Sequence, residues 1–210
     1  MSFIGRCRMK TCYIFSALET SCELPKIGDE DMIIAADAGY LNLRKLCIEP
    51  NIIIGDFDSM PYPKANVTVK KYPVLKDDTD TMLAIKHGFE CGYTDFVIYG
   101  GVGGERTDHT IANIQALGYI VSHGGHGVLV GENEKFTMIR NSRAELHSKK
   151  GGTLSVFAYA GNADGIKIRG TVYETDNLSL SPFFPLGVSN KFKDETATVE
   201  VENGYVLVKW

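Results

Sequence analysis

Acidic residues follow two of the apolar segments of this chain. Asp37 comes directly after the apolar run 32–36, and Asp56 and Asp58 follow the run 52–54. Ligands of a parallel α/β sheet bind outside the carboxyl ends of its strands, so we expect these carboxylates to converge on one edge. Grouped carboxylates repel unless a cation neutralises them, and Mg²⁺ accepts carboxylates together with phosphate oxygens. The pattern predicts a divalent-cation site for a phosphate-bearing substrate, although each aspartate alone could equally cap a helix or close a turn.

The segment Gly-Asp-Phe-Asp-Ser at 55–59 carries the sharpest of these signals. In an extended backbone, residues two apart point to the same face, so Asp56 and Asp58 are predicted to lie side by side. Gly55 would let the backbone approach a ligand closely. Ser59 adds a hydroxyl for a metal ion or a phosphate.

A glycine-rich segment, 100–104, lies between the apolar run 96–99 and a helical pattern that opens at Asp108. Main-chain N–H groups and a helix start suit a phosphate group, and the Arg106 guanidinium could pair with its oxygens. The segment matches neither the P-loop nor the dinucleotide fingerprint, which needs glycine at position 106. His109, at the second helical position, is expected to brace the loop more than to act as an acid or base.

Strand-like apolar runs alternate with helical patterns through the first 130 residues. The predicted strands are 12–16, 32–36, 52–54, 67–72, 96–99 and 127–130. The predicted helices are 39–46, 79–91 and 108–121. This order predicts an α/β domain with a Rossmann-like, mostly parallel sheet and helices on both faces.

The pattern changes near residue 131, beyond which no helical periodicity appears. The predicted strands there are 135–139, 153–158, 165–168, 196–201 and 205–209, separated by turn signals at 150–152, 161–162, 176–177 and 203–204. Asn203-Gly204 predicts a two-residue hairpin. We therefore predict an α/β domain over 9–131, an antiparallel β-sandwich or barrel over 132–210, and an extra N-terminal segment over 1–8.

Composition excludes several classes of protein. The net charge of −4 argues against a general nucleic-acid or membrane-surface binder. No window approaches the run of about 18 apolar residues that a membrane span needs. Five cysteines without a C-x-x-C pair indicate free thiols in a reducing compartment, and no signal-peptide pattern is present, so the cytoplasm is the predicted location. The missing G-x-S-x-G motif disfavours covalent hydrolase chemistry.

Five segments occur in a distinctive order along the chain. They are AADAG at 35–39, EPNIIIGDFDS at 49–59, KDDTD at 76–80, GERTDHTIAN at 104–113 and GVSNKF at 187–192. In order and spacing they resemble the thiamine pyrophosphokinase family, over nearly the whole chain from about Met9. The resemblance implies an N-terminal α/β nucleotide-binding domain, a C-terminal β domain, and a homodimer with the active site near its interface.

The same resemblance implies a reaction and its cofactor. The terminal diphosphate of ATP would pass to the hydroxyethyl oxygen of thiamine, releasing AMP, with Mg²⁺ required. Asp56, Asp58 and Asp80 would hold the metal, with Asp37 in the same catalytic cluster. Either Asp58 or Asp80 would accept the hydroxyl proton.

The resemblance also assigns residues to the two substrates. The ATP site would include Lys76, Asp77, Thr79, Gly101, Arg106, Asp108 and His109. Ser189 and Asn190 would help to form the thiamine pocket. The Tyr173 ring would face the cationic thiazolium, a contact worth up to about 2 kcal/mol when desolvated.

Three other functions are open at this stage. A diphosphotransferase of the same fold could act on another alcohol, such as a pterin. A non-catalytic nucleotide- or thiamine-binding module is disfavoured by the full set of aspartates, which a sensor need not retain. A Mg²⁺-dependent phosphohydrolase would release phosphate or pyrophosphate from ATP without any alcohol acceptor.

Overall fold

The computed structural model describes residues 9–19, 24–58, 62–63, 67–73 and 77–210. The expected N-terminal segment 1–8, Ser59 and Lys76 lie outside these ranges. The described chain forms two compact units. The first contains the residues up to Ala116 together with Val130–Glu132, and the second contains Leu117–Leu129 and Asn133–Trp210.

The first unit is built on a parallel sheet. Its strands are β1 (Thr11–Phe15), β2 (Met32–Ala36), β3 (Ile52–Gly55), β4 (Thr68–Lys71) and β5 (Asp95–Tyr99). Its helices are α1 (Gly39–Lys45), α2 (Asp80–Glu90) and the first part of α3 (Thr107–Ser122). The strand order is β4-β3-β2-β1-β5, and every neighbouring pair is parallel. This confirms the predicted parallel sheet.

The apolar runs explain why these strands lie in the centre of the unit. Ile14 of β1 pairs with Ile34 of β2 and with Ile98 of β5, and all three side chains are fully buried. A strand covered on both faces needs a continuous apolar run instead of an alternating one. Helix α2 begins where the Thr79 hydroxyl accepts a hydrogen bond from the Met82 N–H at 3.2 Å, which satisfies a free donor of the first turn.

The second unit is antiparallel. Its strands are β6 (His126–Val130), β7 (Lys135–Arg140), β8 (Arg143–His147), β9 (Thr153–Arg169), β10 (Thr175–Leu180), β11 (Asn190–Lys191), β12 (Thr196–Glu200) and β13 (Asn203–Lys209). They follow the order β6-β7-β13-β9-β12-β8, and β10 and β11 also pair with β9. The core of this unit is apolar, with Leu154, Ile166 and Val199 fully buried. The predicted antiparallel arrangement of the C-terminal strands is confirmed.

Strand β9 corrects two sequence predictions. The sequence predicts two separate strands, 153–158 and 165–168, with a turn at 161–162. The structure has one strand of 17 residues there instead. Ala160 and Gly165 adopt left-handed φ values of 58° and 67°, so the chain bends without reversing. The turn predicted at 176–177 likewise lies inside β10.

The predicted hairpin at Asn203-Gly204 is also wrong. Strand β12 pairs with β8 and β9, and β13 pairs with β7 and β9, so these two strands are not partners. Asn203 pairs with Asp164 of β9 inside the ladder. Gly204 has a φ of 105°, and a Cβ there would lie 2.6 Å from the Asn162 carbonyl oxygen. The glycine therefore serves a close strand approach, not a turn.

Within the described ranges, no helix is both long enough and apolar enough to cross a membrane.

Candidate active site

A cleft of about 640 Å³ opens in the first unit at the carboxyl end of its parallel sheet. Its walls come from the segments that follow β1, β2, β3 and β5 and from the starts of α2 and α3. Strand β1 lies between β2 and β5, so the chain winds outward on one side of β1 and then returns to the other. Such a switch point is where open α/β sheets bind their ligands.

Three carboxylates meet in this cleft. Asp37 follows β2, Asp56 follows β3, and Asp80 is the first residue of α2. One oxygen from each lies within 4.8 Å of the other two, and all three residues are half-buried. Among the described residues this is the only group of three or more acidic, histidine or cysteine ligands so arranged. An all-oxygen set of this kind fits a hard divalent cation such as Mg²⁺.

Backbone geometry brings Asp37 and Asp56 together. Asp37 has a left-handed φ of 46°, and its N–H donates to the Ile54 carbonyl at 2.7 Å. A Cβ at Gly55 would lie 3.1 Å from the Asp37 Cα, so glycine allows the two strand ends to approach closely. Left-handed non-glycine residues are costly and cluster at functional sites.

The expectation that Asp56 and Asp58 leave an extended backbone side by side is wrong. Phe57, between them, has a left-handed φ of 60°, which turns the chain after β3 ends at Gly55. Asp58 is exposed and lies outside the three-carboxylate group, although it lines the same cleft. Its N–H donates to Asp56 Oδ1 at 3.2 Å. Its assignment as a metal ligand stays a prediction.

The glycine-rich loop after β5 is tied down at several points. Gly100 has a φ of 68°, and a Cβ there would lie 2.1 Å from the Leu18 carbonyl oxygen. The buried Asn113 amide donates to the Gly101 carbonyl at 2.8 Å, and the Gly103 N–H donates to the Thr110 hydroxyl at 3.1 Å. These contacts therefore hold the loop backbone in one conformation, in which it forms a wall of the cleft.

Arg106 lines the cleft, and Asp108 orients it. The guanidinium donates through Nε at 3.0 Å and through Nη2 at 2.8 Å to the two oxygens of this carboxylate. These hydrogen bonds lower the pKa of Asp108 to about 2 and raise the pKa of Arg106. Asp108 is not among the residues that line the cleft, so its contact with ATP stays a prediction.

Some of the other predicted ATP residues line the cleft, and one does not. Thr79, Gly101 and His109 line the cleft, whereas Asp77 does not. Sequence analysis missed Ser16 and Thr81, which also line it and whose hydroxyl oxygens lie 3.0 Å apart in a buried position. The only available signal for Ser16 was its place at the end of the predicted strand 12–16.

The three predicted thiamine residues lie close together in the second unit. The buried Asn190 amide donates to the Tyr173 carbonyl at 2.7 Å, and its oxygen accepts from the Tyr173 N–H at 3.0 Å. Ser189 has a left-handed φ of 65°, and its N–H donates to the Ser155 hydroxyl at 3.1 Å. Tyr173 is 73% exposed. Asn190 thus fixes the backbone that presents an accessible tyrosine.

Comparison with known families gives two matches. The family model described as thiamin pyrophosphokinase, catalytic domain, matches residues 26–126. The model described as thiamin pyrophosphokinase, vitamin B1 binding domain, matches residues 139–206. A curated relative, the thiamine pyrophosphokinase of Bacillus subtilis strain 168, is 24% identical over 182 residues, covering 83% of this chain and 85% of that protein.

Solved structures show the same fold. The crystal structure of thiamine pyrophosphokinase from Bacillus subtilis matches with a TM-score of 0.83 at 22% identity, covering 95% of this chain and 98% of that one. Thiamin pyrophosphokinase from Candida albicans matches with a TM-score of 0.76 at 16% identity, covering 96% and 88%. Both family models together span most of the sequence, and the chain belongs to the thiamine pyrophosphokinase family.

Proposed function

We propose that this protein transfers the terminal diphosphate of ATP to the hydroxyethyl oxygen of thiamine, forming thiamine diphosphate and AMP in a Mg²⁺-dependent reaction. The observation that carries the proposal is the group of three carboxylates in the cleft beside the glycine-rich loop. Membership of the family supports ATP and thiamine as the two substrates.

The negative charge of the triphosphate must be neutralised before an alcohol can attack it. Asp37, Asp56 and Asp80 would hold Mg²⁺, which supplies charge neutralisation at the phosphate oxygens when it is bound. Arg106 presents a guanidinium already oriented by Asp108, so little reorganisation is needed when charge develops. Lys76 is proposed as a second cation.

One P–O bond forms and one P–O bond breaks at the β-phosphorus. The thiamine hydroxyl oxygen bonds to this phosphorus, and the bond to the oxygen that bridges it to the α-phosphorus breaks, so AMP leaves. The hydroxyl proton passes to a carboxylate, for which Asp80 and Asp58 are the candidates. Asp80 is half-buried and Asp58 is exposed, so variants of the two can separate their roles.

Recognition of thiamine is proposed to use the second unit. The exposed Tyr173 ring offers an apolar and electron-rich face for a cationic ring, and Ser189 and Asn190 hold the adjoining backbone. A homodimer with the active site near the interface is part of the same proposal. Light scattering of the purified protein tests that assembly state.

Product analysis tests the reaction directly. The full chain is incubated with ATP, thiamine and Mg²⁺, with an EDTA reaction as the control, and products are identified by mass spectrometry. Thiamine diphosphate with AMP supports the proposal. Thiamine monophosphate with ADP would identify a single-phosphate kinase, and free phosphate or pyrophosphate without a thiamine product would identify a hydrolase. Binding of both substrates without any product would indicate a non-catalytic module, or a different acceptor such as a pterin.

A further inference from the structure

A buried asparagine in α1 contacts the loop that follows β1 and lines the cleft. Asn42 is 7% exposed, and its side-chain amide donates to the carbonyl oxygens of three consecutive residues. The N···O distances are 3.1 Å to Ser16, 3.1 Å to Ala17 and 2.9 Å to Leu18. A carboxamide carries two N–H hydrogens, so the three carbonyls share them. All three acceptor residues line the cleft.

Close packing holds the same loop from two further directions. A Cβ at Gly39 would lie 1.8 Å from the Phe15 carbonyl oxygen, so α1 starts directly against the end of β1. On the other side, the Ser16 N–H donates to the Tyr99 carbonyl at 2.8 Å and the Leu18 N–H donates to the Gly100 carbonyl at 3.2 Å. The loop 16–18 therefore lies between α1 and the glycine-rich loop, at the switch point of the sheet.

Carbonyl orientation matters in this cleft because its proposed ligand is a polyanion. Carbonyl oxygens carry partial negative charge, and turned toward a triphosphate they would weaken its binding. Asn42 keeps three of them hydrogen-bonded to α1 instead. We propose that Asn42 is a positioning residue that shapes the loop 16–18 for binding of the nucleotide, an inference that rests on the proposed function.

The test compares two variants that each lose a buried hydrogen bond to a main-chain carbonyl. Asn42→Leu removes the donor at similar side-chain volume. Thr137→Val is the matched control, because the buried Thr137 hydroxyl donates to the Gly127 carbonyl at 2.7 Å and this residue does not line the cleft. Thermal melting of the full chain first shows whether both variants fold and how far each is destabilised.

Calorimetric titration with ATP and Mg²⁺ then separates positioning from stability. We expect Asn42→Leu to weaken ATP binding by about tenfold or more, whereas Thr137→Val changes it less than about twofold. In steady-state assays, KM for ATP should rise with KM for thiamine unchanged. If Asn42→Leu fails to fold, Asn42→Ala, which removes the same donor without adding apolar bulk, takes its place in the same comparison.

Each outcome bears on the inference. Wild-type ATP affinity in a folded Asn42 variant, or an equal loss in Thr137→Val, would overturn the positioning role. If the wild type binds ATP without forming thiamine diphosphate, the proposed function fails while the ratio of ATP affinities still decides the role of Asn42. If the wild type does not bind ATP, both fail.

Discussion

Replacing Asp37 with asparagine is expected to stabilise the protein when Mg²⁺ is absent. The carboxylate oxygens of Asp37, Asp56 and Asp80 lie within 4.8 Å of one another, so the three charges repel. At that separation a pair of unit charges interacts by about 0.9 kcal/mol in water and about 3.5 kcal/mol at an effective dielectric constant of 20. Asparagine removes two of the three pairs and tolerates the left-handed backbone at position 37.

The expected gain lies near the lower value, because all three residues are only half-buried. Two pairs then give about 1 to 2 kcal/mol, or about 2 to 8 °C in Tm for a chain of this size. Mg²⁺ should reverse the order, since under the proposed function it would bind the three-carboxylate site of the wild type and stabilise the folded state by mass action.

Thermal melting in EDTA and in millimolar MgCl₂, at matched ionic strength, measures both effects. Asp95→Asn is the control, because Asp95 is a half-buried aspartate at the start of β5 and does not line the cleft. It should show no gain in EDTA and keep the full response to Mg²⁺. The reasoning is refuted if Asp37→Asn melts lower than the wild type in EDTA, or if Mg²⁺ stabilises it as much as the wild type.

Three further predictions address the cleft and its support. Asp58→Asn should abolish turnover in the ATP and thiamine assay without lowering Tm, and a near-normal rate would remove this residue from the catalytic set. NMR titration should give Asp108 a pKa of about 2, and Arg106→Ala should return it toward its ordinary value of 3.8. Because the pKa of Asp108 is lowered in the folded state, its contribution to stability is present above about pH 4 and is lost as the pH falls through about 2. Gly39→Ala should destabilise the protein by about 1–3 kcal/mol in chemical denaturation, since its Cβ would lie 1.8 Å from a carbonyl oxygen. Gly118→Ala in α3 meets nothing closer than 3.5 Å and should be neutral or stabilising, so equal losses in the two variants would contradict the packing argument.

Features set by residue type were predictable from the sequence. Continuous apolar runs such as 52–54 gave the buried parallel strands, because a strand covered on both faces has no polar side. The strand-end rule then brought Asp37 and Asp56 to one edge without any knowledge of side-chain contacts. In the structure both lie at the carboxyl end of the sheet, with Asp80 beside them.

Features set by backbone conformation were not predictable. Phe57 and Ala160 adopt left-handed φ values that their residue types disfavour, and tertiary packing decides such positions. The first turns Asp58 out of the carboxylate group, and the second carries β9 through a predicted turn. Asn203-Gly204 has the composition of a hairpin turn. Glycine is needed there, however, because the backbone passes close to Asn162, a residue that is distant in the sequence.

The sharing of β9 among so many partners has a consequence for how the second unit folds. This strand pairs with β10, β11, β12 and β13, and β13 also pairs with β7. Its ladders therefore join residues that are distant along the chain, a topology associated with slow folding. During synthesis, β7 and β9 must wait for residues 203–209 to leave the ribosome before they gain their common neighbour. The second unit should thus fold late in translation, and a chain shortened before Asn203 would expose two unpaired apolar edges to aggregation.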